Sequence, residues 1–127
     1  MHTMEPPIAH LDIKSPNILI AQKNDDADVI AKITDFGLSK FCLFPFQQRK
    51  VDNPVWLAPE ILMGKSYNLS VDTYALGVIA WELIARKTPY LEFEFTVDIE
   101  EYVINEGRPK IPLNCPSKYS KLIRHCW

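Results

Sequence analysis

The stretch HLDIKSPN, His10 to Asn17, gathers an imidazole, a carboxylate, an ammonium and a carboxamide within eight positions. Asp12 can accept a proton, Lys14 can neutralise developing negative charge, and Asn17 offers an amide oxygen to a hard cation. Taken alone, these residue types also suit a solvated turn. The neighbouring segments argue for more. The runs NILIAQ, residues 17–22, and VIAKIT, residues 29–34, are short, apolar and rich in β-branched residues, with the polar KNDDAD between them. They predict two antiparallel strands joined by a connection longer than two residues. A hairpin brings its ends together, so Asn17 and Asp35 are predicted to lie side by side near Asp12. An amide oxygen and a carboxylate suit Mg²⁺, which takes one or two protein groups and leaves its other positions to water and substrate phosphates.

The elements that must hold this hairpin read less uniformly. Residues 35–60 show neither helical nor strand periodicity and predict a long loop, packed by its own Phe41, Phe44 and Phe46 around Cys42. Long ordered loops in compact domains are usually functional. A helix is expected from near Pro59, followed by one from about Asp72 to Ala85 that is apolar on nearly every side and therefore buried. Asp72 at its start suits capping. A turn at KTPY, a helix across VDIEEYVINEG stopped by Gly107, a proline-rich connection over residues 108–116 and a helix N-capped by Ser117 complete the chain. Trp56 and Trp81 are read as core residues. The fold class expected is mainly α with one small β-hairpin.

A length of 127 residues allows one modest domain or a piece of a larger one. With 47% hydrophobic and 24% charged residues and a formal charge of −2, the chain has an ordinary globular composition. It has no basic stripe to neutralise phosphates, so nucleic acid is not an expected partner. Cys42, Cys115 and Cys126 form an odd set without a CxxC pair, which suits a reducing compartment and a cytoplasmic location. The first ten residues lack the features of a secretory signal, and YALGVIAWELIA is too short and too charged to span a bilayer.

In this order and at these separations, HLDIKSPN, DFG at 35–37 and APE at 58–60 resemble the catalytic loop, the metal-binding loop and the end of the activation segment of a eukaryotic protein kinase. SVDTYALGVIAWEL resembles the central helix of the kinase C-terminal lobe. GRPKIPLNCP and LIRHCW are similar to the tail of that lobe in the tyrosine-kinase-like group, and PPIAHLDIKSPN with the asparagine of DNPVW resembles the Roco and leucine-rich-repeat kinases. The resemblance spans almost the whole chain. It implies residues 1–127 of a partial kinase domain, the C-terminal lobe of the α+β kinase fold truncated at both ends, with the N-terminal lobe missing as a partner.

The resemblance also implies roles. Asp12 would accept or orient the proton of a protein hydroxyl, Lys14 would neutralise the transferring γ-phosphate of ATP, and Asn17 and Asp35 would hold Mg²⁺. Leu19 would form the floor under adenine. His10 and Phe36 would stack in a spine anchored to Asp72. Lysine two positions after the aspartate is the serine/threonine pattern, so a protein substrate phosphorylated on serine or threonine is implied.

Departures from the family pattern carry their own expectations. Kinases switched by phosphorylation of this loop carry arginine where Leu11 stands, and leucine cannot pair with a phosphate. Ser39 is the only hydroxyl between Asp35 and Glu60, so acceptor and partner are missing together. Loop order is then expected from packing of Phe41, Leu43, Phe44 and Phe46 or from a partner. Asp52 and Asn53 replace the usual Gly-Thr, and asparagine could keep the threonine's contact with Asp12 and Lys14. No glycine-rich phosphate loop occurs in the chain. The arginine that would pair with Glu60 is also absent, and a buried Glu60 left alone would cost about 3–5 kcal/mol. The isolated chain is therefore expected to be poorly folded and inactive. The alternative to a kinase is a kinase-like scaffold that transfers no phosphate.

Overall fold

The computed structural model describes residues 1–22, 29–47 and 53–127. Strand β1 (Ile8–Ala9) pairs antiparallel with β4 (Lys40–Phe41), and β2 (Ile18–Gln22) pairs antiparallel with β3 (Ile30–Ile33). The second pair is the expected hairpin. Its register sets Ile18 against Ile33 and Leu19 against Lys32, with a bulge between Ile20 and Gln22. The first pair is not foreseen by the sequence reading, because two-residue strands carry no period. It ties the chain just before His10 to the start of the segment after DFG, and Cys42 N–H adds a bond to Pro7 O at 2.7 Å. Single turns of 3₁₀ helix occupy Ser15–Asn17 and Pro54–Trp56, each with proline in its first positions.

Beyond these, the described residues form four α-helices, α1 (Pro59–Leu62), α2 (Ser70–Ala85), α3 (Thr96–Ile104) and α4 (Ser117–Cys126). Helix α2 is the post around which the rest is arranged. Val71, Tyr74, Ala75, Val78, Ile79 and Trp81 are buried on several of its faces, as its uniformly apolar sequence demands. One core cluster joins Leu57, Ile61, Tyr67, Val71, Val78, Ile99 and Val103, and a smaller one joins Ile13, Ala75 and Ile79. Helix α4 lies along α2, with Ile123 fully buried and Tyr119 Oη donating to Ala80 O at 3.0 Å. Tyr74 and Tyr90 are buried together, and burial raises both phenols above the usual 10.0, against the opposing pull of the Arg108 guanidinium. Among the described residues, no helix is long and apolar enough to cross a membrane.

Several local expectations are corrected. The aromatic segment does not pack on itself: Phe41, Leu43 and Phe44 are 59%, 65% and 80% exposed, Cys42 is half-buried, and Phe46 alone turns inward, against Tyr67. Nearby apolar surface is already used by the core, and backbone pairing with β1 leaves these rings outside. Ser117 is the first residue of α4, and the N-cap position belongs to Pro116, which offers no side-chain acceptor. Helix α3 ends at Ile104 with Asn105 as its C-cap, and Glu106 rather than Gly107 takes the left-handed conformation at φ 63°. Gly107 serves close approach, since a Cβ there would sit 2.5 Å from Tyr102. Trp81 is buried as expected, and its indole N–H reaches Lys110 O at 2.9 Å.

Candidate active site

Two backbone devices set the geometry of residues 10–17. Leu11 lies in the left-handed region at φ 67°, a conformation that costs a non-glycine residue about 1–2 kcal/mol. It persists because the buried Asp72 carboxylate takes His10 N–H on Oδ2 at 2.7 Å and Leu11 N–H on Oδ1 at 2.9 Å. His2 Nε2 adds a third bond to Oδ2 at 2.9 Å. Asp72 therefore spends its carboxylate on the catalytic-loop candidate, and the helix cap suggested by its sequence position is not made. His10, fully buried, meets Phe36 with ring centroids 4.9 Å apart, the expected pair, with the rings tilted by 58° rather than stacked. Its Nε2 donates to Thr34 O at 3.1 Å, and Nδ1 receives Asp12 N–H at 3.3 Å.

With the backbone pinned in this way, the chemistry-bearing groups converge. Lys14 Nζ donates to both oxygens of Asp12, at 3.1 and 2.8 Å, and Asn17 Nδ2 donates to Asp12 Oδ2 at 3.0 Å and to its backbone O at 2.9 Å. The Asp12 and Lys14 side chains retain 11% and 28% of their exposure, so the pair opens to solvent on one side. Asn17, itself buried, has both amide hydrogens committed, which turns Oδ1 away from Asp12 as an acceptor. Thr34 closes the hairpin on Asn17: its N–H and Oγ1 both donate to Asn17 O, at 2.9 and 3.2 Å. Asp35 follows at once, exposed and left-handed at φ 62°, with Oδ1 taking Gly37 N–H at 3.2 Å. Two strained non-glycine residues beside one carboxylate cluster are the kind of backbone feature that accompanies function. Hard oxygens from Asn17 and Asp35 fit a Mg²⁺ ion that is completed by phosphate and water. Among the described residues, no group of three His, Cys, Asp or Glu forms a closed metal cage.

The remaining predicted residues fall around this centre. Leu19 lies on the hairpin and is 56% exposed, with Ile20 beside it at 58%. Asn53 lines a cavity of about 20 Å³ together with Leu11, Asp12, Lys14 and Trp56, yet its Oδ1 takes Val55 N–H at 3.2 Å and caps the 3₁₀ turn. Its neighbour Asp52 is outside the described residues. Glu60 is half-buried and accepts from Ser70 Oγ at 3.3 Å, so the expected orphan charge does not arise. Sequence reading missed Glu82. Its Oε1 takes Ser15 Oγ–H at 3.0 Å and its Oε2 takes Trp56 Nε1–H at 3.1 Å, contacts 67 and 26 residues away that no local pattern announces.

The family model for the protein kinase domain matches residues 1–127, the entire chain. The chain belongs to the protein kinase family. Kinases of this family are phosphotransferases that use ATP and Mg²⁺. A Dictyostelium discoideum protein named probable serine/threonine-protein kinase pats1 is 53% identical over 128 residues, which cover 100% of this chain and 4% of that protein. From the same organism, probable serine/threonine-protein kinase roco8 is 41% identical and roco6 is 39% identical, each over 100% of this chain. The kinase chain spans 4%, 7% and 6% of the lengths of these three relatives.

Proposed function

We propose that this chain is the catalytic, C-terminal part of a serine/threonine protein kinase domain of the tyrosine-kinase-like group, of the Roco type. The Asp12 carboxylate, held by Lys14 and Asn17, with Thr34 bonded to Asn17 O directly before Asp35, is the observation that carries the reading. In this reading Asp12 orients the hydroxyl of a protein substrate and receives its proton. Lys14, now shared between both Asp12 oxygens, has its charge available to a γ-phosphoryl group entering beside it. Asn17 and Asp35 hold Mg²⁺, which supplies neutralisation of the phosphate oxygens. Leu19 offers an apolar surface to adenine. The names of the relatives support serine/threonine chemistry and the Roco type, as does Lys14.

The reading includes an N-terminal lobe as the partner that clamps ATP, and a cytoplasmic location. The exposed apolar residues of the hairpin, Leu19, Ile20, Ile30 and Ile33, support a covering lobe. The test is Mg-ATP-dependent phosphate transfer by the full-length protein beside an Asp35→Asn variant. Transfer by the wild type with loss of at least about a hundredfold in the variant is expected. Equal signal from both would replace the kinase by a non-catalytic scaffold.

A further inference from the structure

Glu82 has no part in the chemistry itself, yet it bonds Trp56, which lines the cavity beside Asp12, and Ser15, the residue that follows the cavity-lining Lys14. Ser15 opens the 3₁₀ turn that directly follows Lys14 and ends at Asn17. Trp56 closes the second 3₁₀ turn, which begins at the Asn53 cap. Asp12, Lys14, Asn53 and Trp56 all line the cavity of about 20 Å³. Each turn is a single loop of chain closed by one or two backbone bonds: Asn17 N–H to Lys14 O at 2.9 Å and Ile18 N–H to Ser15 O in the first, Leu57 N–H to Pro54 O at 3.1 Å in the second. Elements so short cannot fix their own separation. The last turn of α2 does it for them, by directing one carboxylate oxygen to Ser15 and the other to Trp56. The Trp56 ring also packs against both core clusters, so the indole is locked in the plane that Glu82 selects.

We propose that Glu82 is a positioning residue that sets the spacing between the Asp12–Lys14 wall and the Asn53–Trp56 wall, and thereby the placement of the substrate hydroxyl segment. This rests on the kinase reading. Hydrogen bonds to a carboxylate are stronger than those to a neutral acceptor, which suits a tether between two short turns. Misplacement of reacting groups by about 1 Å can cost on the order of a hundredfold in rate. In the proposed reading adenine contacts Leu19, which is not among the residues lining this cavity, so loosening the tether acts on the protein substrate and leaves nucleotide binding alone.

The test compares Glu82→Ala, Glu82→Gln, Ser15→Ala and Trp56→Phe in the full-length enzyme, with separate KM values for ATP and protein substrate and with thermal midpoints. Glutamine can accept from the indole and donate to Ser15 Oγ, so it keeps both tethers. Glu82→Ala is expected to lower kcat/KM for the protein substrate by about ten- to a hundredfold, with KM for ATP within about twofold. Glu82→Gln is expected within about threefold of wild type. Ser15→Ala and Trp56→Phe should combine non-additively in the wild type and additively in Glu82→Ala. A loss that follows only the folded fraction, with both KM values unchanged, overturns the positioning role, as does a glutamine variant as impaired as alanine. Absence of transfer by wild type overturns the kinase reading and this inference with it, whereas normal transfer by Glu82→Ala overturns this inference alone.

Discussion

Leu11 holds a left-handed backbone with its N–H on Asp72 and its side chain against the cluster of Leu57, Ile61 and Val71. The position keeps its backbone duty without the cationic side chain that would read a phosphate. Ser39, the one hydroxyl between Asp35 and Glu60, is half-buried and donates to His10 O at 3.2 Å. Charging it would break that bond in the segment that seats Asp12. Activity of the full-length enzyme is therefore expected to stay within about twofold after phosphatase treatment. A phosphate between residues 35 and 60 that proves necessary for activity would refute this. At this scale the sequence was most readable where motifs coincide: Asp12, Lys14 and Asn17 suit a solvated turn when taken alone, and with Asp35 they gain roles only from the order of HLDIKSPN, DFG and APE. Glu82 was not readable, because a glutamate in an apolar helix looks the same whether it faces water or bridges two loops, and only the folded chain decides.

Helix α2 was readable as an element because burial on several sides forces a long apolar run, although Thr73, Leu76 and Leu83 leave one face exposed, and its observed start at Ser70 differs from the expected one by a fraction of a turn. The β1–β4 pairing and the outward turn of Phe41 and Phe44 were not, since both depend on which partner surface remains after the helices have packed. Packing also explains Gly77. A Cβ there would meet Cys126 Cβ at 2.5 Å and the Trp127 ring at 2.9 Å, so α4 can lie this close to α2 only because residue 77 has no side chain. Gly77→Ala gains helix propensity but overpacks this crossing, and the second effect wins, because a backbone-borne Cβ on α4 cannot swing aside. The substitution is expected to lower stability by about 1–3 kcal/mol, measured by denaturant unfolding of the full-length protein. An unchanged or raised midpoint would mean that α4 does not hold this distance.

The whole chain exposes 8581 Å², where a compact monomer of 14.6 kDa would expose about 6,900 Å². The excess of about 1,700 Å² is larger than the roughly 800 Å² per partner of a standard protein interface. It includes apolar residues in two places. Leu19, Ile20, Val29 and Ile30 crowd the hairpin, and Phe41, Leu43 and Phe44 follow β4. The two strands of the hairpin gain little from each other when neither face is covered, and an isolated two-stranded pair is marginal in water. Yet Asn17 and Asp35 stand at the base of that hairpin, so the least supported element presents the candidate metal oxygens. The 127-residue chain by itself is accordingly expected to bind a hydrophobic dye, to associate at micromolar concentration and to transfer no phosphate. The same residues within the full-length protein are expected to melt cooperatively and to bind no dye. A sharp melting transition together with phosphate transfer by the isolated chain would show instead that the hairpin is held without a covering lobe, and that the exposed apolar face has another use.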